Sequence, residues 1–120
     1  MTGRASRRKG AGGEREVAKI FAAHNLNCYR TPNSGGLSIP GDIVGIHGYC
    51  FEVKRQERLA IPAWLRQAHA AARDGTVPVL VFRRNNDRGG DPVSRWHAVL
   101  PLEDLAYMLA ATRDEWKVVA

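Results

Sequence analysis

Asp42, Glu52 and Lys54 carry the chemical interest of this chain. Residues 43–51 separate the first acid from the second, and Lys54 follows Glu52 by two. If Tyr49 to Gln56 is a strand, alternation places Glu52 and Lys54 on one face and Phe51 and Val53 on the other. Three charged groups on adjacent, otherwise apolar strands are costly to bury. A divalent cation held by the two carboxylates would offset that cost. Mg²⁺ takes oxygen ligands and keeps several waters, so one or two carboxylates usually suffice to hold it. Asp42 and Glu52 fit that part, and the Val53 carbonyl adds a third oxygen. Lys54 is placed to orient an attacking water or to stabilise a pentavalent phosphate. The reaction that such a set serves is phosphodiester hydrolysis, which needs an in-line water, its deprotonation and charge stabilisation on the phosphate.

Two more residues are candidates for the same site. Glu14 lies near the Val17/Phe21 stripe of an amphipathic pattern and faces the sheet, whereas Glu16 lies well off the stripe and faces solvent or DNA. Periodicity leaves Glu14 open between a first-turn acid favoured by the helix dipole and a site acid. Gln67 sits one helical turn after Trp64 and points either to the site or to solvent.

These residues need a scaffold, and the chain supplies one in order. Val17, Ile20, Phe21 and His24 recur with helical spacing from Gly13 onward, ending near Asn25. Leu26 to Thr31 reads as a short strand. Pro32-Asn33-Ser34-Gly35-Gly36 is a loop of turn formers, where Ser34 and backbone N–H groups suit a phosphate. Asp42 to Ile46 is a second strand, His47-Gly48 a hairpin turn and Tyr49 to Gln56 a third strand. A helix starts at Pro62 and stops at Asp74-Gly75. Val77 to Phe82 is an apolar run, as in a strand covered on both faces. The right-handed crossover rule makes it parallel to the third. Arg83 to Pro92 is a polar, basic loop. Ser94 to Leu100 is a fifth strand, with Trp96, Ala98 and Leu100 on one face, and Leu102 to Ala111 is a last helix. The fold class is α/β, a central mixed five-stranded sheet flanked by helices in the order αβββαββα.

The 120 residues suit one domain, 13–120, preceded by a flexible basic arm over residues 1–12. Net charge is +6, with a pI of about 9.9, which favours a polyanionic partner. The excess is concentrated: Arg4, Arg7, Arg8 and Lys9 precede the first acid, Glu14. The two cysteines, Cys28 and Cys50, form no zinc-ligand spacing and read as reduced strand residues. No apolar run approaches the roughly 18 residues of a membrane span, and no secretory leader pattern follows the basic start. The expectation is a cytoplasmic protein, cellular or phage-encoded.

Pro40-Gly41-Asp42 with Glu52-Val53-Lys54 resembles the PD-(D/E)xK nuclease superfamily. Lys9-Gly10-Ala11-Gly12-Gly13-Glu14-Arg15-Glu16 is similar to the N-terminal motif of its archaeal-type Holliday junction resolvases. Arg30, Ser34 and the Val77–Arg83 run fall where that family has a strand-ending arginine, a serine/glycine loop and a later core strand. The resemblance implies a restriction-endonuclease-like fold, Mg²⁺-dependent hydrolysis with Mn²⁺ as a substitute, and a homodimer on a four-way DNA junction, serving recombination or repair. It assigns Glu14, Asp42 and Glu52 to metal and Lys54 to catalysis. Arg7, Arg8, Lys9, Arg15, Arg30, Ser34 and Arg55 are the candidates for DNA contact, with Gln67 in support. Gly41 directly before Asp42, with Pro40 one place earlier, departs from the family pattern but leaves the acid in place. Two alternatives stand beside this: another nuclease of the superfamily cutting duplex or flap DNA, and a basic architectural DNA-binding protein without catalysis.

Overall fold

A computed structural model describes residues 3–32 and 41–113, with side chains from Gly12 onward. Its elements are α1 (Gly3–Ala23), β1 (Tyr29–Arg30), β2 (Ile43–Val44), β3 (Tyr49–Gln56), α2 (Ile61–Ala71), β4 (Val77–Arg84), a short 3₁₀ turn (Pro92–Ser94), β5 (His97–Val99) and α3 (Leu102–Ala111). The five strands form one sheet in the order β1-β2-β3-β4-β5. Only β3 and β4 are parallel, in register from Tyr49↔Val77 to Gln56↔Arg84. The expected α/β class, element order and mixed sheet are what the chain forms.

Several boundaries differ from the sequence reading. The helix begins at Gly3 and not Gly13, so residues 3–12, expected as an arm, continue α1. Asn25 ends that helical segment in the left-handed conformation, φ 64°, while the Leu26 N–H bonds back to the Phe21 carbonyl at 3.0 Å. The strand expected over Leu26–Thr31 shrinks to Tyr29–Arg30, and that over Asp42–Ile46 to Ile43–Val44. The cause is the same for both: β2 meets β3 in a single register pair, Ile43↔Phe51, and then diverges. The strand expected over Ser94–Leu100 begins at His97, because Asp91 caps a 3₁₀ turn by accepting from the Val93 N–H at 3.2 Å.

Alternation along β3 divides the core in two. Phe51 and Val53 join Val17, Ile43, Val79 and Val81 under α1, with Trp96 and Leu100 packed on that cluster. Trp64 of α2 covers Leu80 and Phe82 on the opposite face. Leu80 is 0% exposed, as expected for a strand covered on both sides. Trp64 and Trp96 therefore serve the interior, and Trp116 lies outside the described residues. The large apolar side chains left exposed include Leu102, Tyr107 and Leu109 of α3. Among the described residues no helix is long and apolar enough to cross a membrane.

Candidate active site

The divergence of β2 from β3 opens the space in which Asp42 sits. Its N–H donates to the Phe51 carbonyl at 2.7 Å, and its own carbonyl accepts from the Thr31 N–H at 2.9 Å. Its Oδ2 accepts from the Val53 N–H at 2.7 Å. Main chain and side chain are thus both pinned to β3. Gly41 explains the departure from a proline directly before the acid. Its φ is +82°, and a Cβ there would lie 3.0 Å from the Phe51 carbonyl oxygen and 3.1 Å from Cys50 Sγ. Only glycine combines that backbone with so close an approach. Thr31, which sequence reasoning missed, donates its Oγ1–H to the Gly41 carbonyl at 2.8 Å; its one sequence signal was its place after Arg30 at a strand end.

Glu52 and Lys54 project from the face of β3 opposite Phe51 and Val53, as alternation requires. Lys54 Nζ stands 3.7 Å from Glu52 Oε1, and the two side chains are only 19% and 15% exposed. Glu14 reaches from α1 to β1, where its Oε2 accepts from Arg30 Nε at 3.1 Å.

All three carboxyls are held above their ordinary range, with burial the largest cause in each. For Glu14 and Glu52 the second cause is the charge of Asp42. The Val53 N–H, Lys54 and Arg30 pull Asp42 back down. Arg30 and Arg15 do the same for Glu14, and Lys54 for Glu52. Glu14 also raises Glu52, by the weakest of its contributions. Asp42 therefore stands electrostatically between the other two.

The donor chemistry fits a hard divalent cation: three half-buried carboxylates, with excess negative charge that Lys54 and Arg30 only partly offset. Among the described residues no group of three or more His, Cys, Asp or Glu is placed to hold a metal ion together, so the three carboxylates do not form one ligand set as they stand. A site with one or two carboxylates and several waters needs no such set.

The remaining candidates divide sharply. Arg15 is exposed on α1 beside Glu14. For Arg7, Arg8 and Lys9 only the helical backbone is described, and Ser34 lies outside the described residues. Gln67 is exposed on α2 and makes no hydrogen bond to the carboxylates among the described residues. Arg55 turns to the α1 face, away from Glu52 and Lys54. There its Nη1 donates to Glu16 Oε2 at 2.8 Å, while Arg83 Nη2 donates to Glu16 Oε1 at 3.3 Å. The Arg83 guanidinium lies 5.5 Å from the Trp96 ring centre, a cation–π contact.

Glu16, expected toward solvent or DNA, keeps 40% of its side chain exposed and is also engaged by two arginines. On α1 the buried line runs through Gly13 and Val17. At 100° per residue Glu14 and Glu16 lie about 80° to either side of it. Each is long enough to reach a different part of the sheet, Glu14 to β1 and Glu16 to the ends of β3 and β4. Glu16→Ala strips the shared acceptor from two arginines that are 20% and 15% exposed. The expected cost is about 2 kcal/mol in urea denaturation; a loss too small to measure would show that solvent satisfies both guanidiniums.

No curated protein and no solved structure matches the chain. One family model does, over residues 5–119, and it is a phage family and not that of the archaeal-type junction resolvases. With the motif acids gathered on the sheet, and with that match running over nearly its whole length, the chain belongs to the family described as phage putative PDDEXK endonuclease, a nuclease family of the PD-(D/E)xK superfamily.

Proposed function

We propose that this nuclease is a divalent-metal-dependent DNA endonuclease that nicks four-way junctions in symmetrical pairs, acting as a homodimer. The observation that carries the metal-dependent part is the placement of Asp42, whose Oδ2 accepts from the Val53 N–H at 2.7 Å, next to Glu52, with Lys54 Nζ 3.7 Å from the Glu52 carboxylate. Acids on a DNA-facing surface repel phosphate unless a cation intervenes, which weighs against a purely architectural role. In this reading Asp42 and Glu52, with the Val53 carbonyl, would hold Mg²⁺, or Mn²⁺ in its place, and Glu14, bonded to Arg30, would join them through a water. The bound cation would supply Lewis-acid polarisation of the phosphate and a more acidic water. Lys54 orients the attacking water and offsets charge on the phosphate oxygens. Arg30 neutralises part of the carboxylate cluster through Glu14 and would contact a phosphate beside it. Arg7, Arg8, Lys9, Arg15 and Ser34 would contact the DNA backbone. Arg55, committed to Glu16, would contribute less than its place in the sequence suggested. Paired cuts need two active sites, and one chain supplies one.

The residues that cut are common to junction, duplex and flap nucleases, so substrate choice is an experimental matter. The protein is incubated with a synthetic four-way junction and with its matched linear duplex, each with Mg²⁺ and with EDTA. Paired symmetrical nicks confined to the junction and lost in EDTA are the expected result. Metal-dependent cutting of both substrates would retain the nuclease and remove the junction preference. Binding without cutting under several divalent metals would favour the architectural role.

A further inference from the structure

The early start of α1 has a geometric effect that a flexible arm would not have. Residues 4, 8, 15 and 19 are Arg4, Arg8, Arg15 and Lys19, and all lie within the continuous helix Gly3–Ala23. At 100° per residue these four positions fall within an arc of about 60°. The centre of that arc is about 170° from the buried Gly13/Val17 line, so they occupy the outward side of the helix. Arg15 and Lys19 are exposed, and neither forms an ion pair among the described residues. The acids of α1 are Glu14 and Glu16. Both lie on its flanks and both are engaged, with Arg30 on one side and with Arg55 and Arg83 on the other. No acid interrupts the outward side. From residue 4 to residue 19 the rise is about 22 Å, equal to about six base pairs of duplex.

We infer that the outward side of α1 is a rigid cationic ridge that docks the phosphate backbone of a duplex DNA arm, with Arg4, Arg8, Arg15 and Lys19 as its contacts. This rests on the reading of the protein as a DNA nuclease and adds Arg4 and Lys19 to the groups that hold the substrate. It also changes the kind of contact. A helix presents its charges in fixed register, so the ridge binds one continuous stretch of backbone. Glu14 lies about a quarter-turn round the same helix from Arg15, so a duplex on the ridge is held in fixed relation to the carboxylates.

The test measures binding of a fluorescein-labelled duplex by anisotropy across a KCl series, in EDTA so that nothing is cut. Lys19→Gln is expected to lower the slope of log K against log[salt] by about 0.9, the effect of one lost phosphate contact. Lys19→Arg should restore it. Arg113→Gln, an equal charge change at an exposed residue beyond α3, should leave the slope unchanged. The sharper variant inserts two alanines after Gly10. It keeps every charge but rotates residues 3–10 by about 200°, carrying Arg4 and Arg8 off the ridge without bringing Arg7 or Lys9 onto it. Its slope should fall by up to about 1.8, two contacts' worth. Equal slopes for Lys19→Gln and Arg113→Gln would overturn the ridge, and so would an insertion without effect, which is how a flexible arm behaves. Cleavage of DNA by the wild-type protein with Mg²⁺ is scored in parallel. Cutting with no Lys19 effect removes the ridge alone. A Lys19 effect in a protein that cuts nothing leaves the ridge standing and removes the nuclease reading.

Discussion

Asp42→Asn is expected to reduce DNA cleavage by about 10³-fold or more while DNA binding is kept or tightened. The size of the loss follows from removing a charged ligand at the point where phosphate charge must be offset. The fold should survive, because an asparagine side chain still offers an oxygen to the Val53 N–H that Asp42 Oδ2 now accepts from at 2.7 Å. Asp42→Ala would be a poorer choice, since it orphans that N–H at a cost of about 1–3 kcal/mol. Binding tightens because a carboxylate facing phosphate is gone. Glu52→Gln should behave alike. Single-turnover cleavage and anisotropy on the same DNA separate the two effects, and a wild-type rate in either variant would dismiss that residue from the site. Wild-type cleavage should also fall on acidification from a pH above the ordinary carboxyl range, because Glu14, Asp42 and Glu52 all titrate above their usual 4.5, 3.8 and 4.5. On stability these acids act in the same window. Each holds its proton more tightly folded than unfolded, so their contribution favours folding below the ordinary values and is lost as pH rises through the raised ones.

Lys54→Ala should slow cleavage by about 10²–10³-fold, as loss of one transition-state contact does. It carries a second signature. Lys54 lowers the pKa of both Asp42 and Glu52. Its removal lets both rise further, so the acid limb of the pH–rate profile moves to higher pH. Lys54→Arg returns the positive charge without the ammonium geometry. The limb should therefore move back while much of the rate deficit remains. An alanine variant with a normal rate and an unmoved limb would take Lys54 out of the mechanism.

The parts of this molecule legible in its sequence are those set by period and by chain connection. Glu52 and Lys54 share a face because a strand alternates, and β4 lies parallel to β3 because α2 intervenes. Glu14 was legible only as one of two possibilities; because α1 starts at Gly3, it is no first-turn acid but a mid-helix residue that reaches Arg30, and where the helix crosses the sheet is not written in the helical pattern. Glu16 was legible in direction only, for a related reason: the helical pattern gives its bearing, and only the packed strand ends supply Arg55 and Arg83 as partners. The extent of α1 was hidden by Gly10, Gly12 and Gly13, each of which costs a helix interior about 1 kcal/mol relative to alanine. Packing overrides that cost. A Cβ on Gly12 would stand 3.4 Å from Arg55, and one on Gly13 would stand 3.4 Å from both Arg55 and Trp96. These are ordinary van der Waals distances, so Arg55 and Trp96 pack against the helix at these positions, a long-range contact that local propensity does not contain.

The parallel pairing of β3 with β4 sets when in the life of the chain a catalyst exists. Glu14, Asp42, Glu52 and Lys54 all precede residue 77, and the Asp42 bonds to Phe51 and Val53 are formed within the segment 42–53. The flank of β3 that holds the spacing of Glu52 and Lys54 is supplied later, by Val77–Arg84. Val79 to Phe82, buried at the heart of the sheet, in turn close the clusters beneath α1 and α2. A nascent chain on the ribosome, or a fragment truncated before β4, therefore carries every proposed catalytic group without the framework that fixes their distances. Synthesis must pass β4 before the proposed site can be held together, which keeps a DNA-cutting activity latent until the sheet is complete.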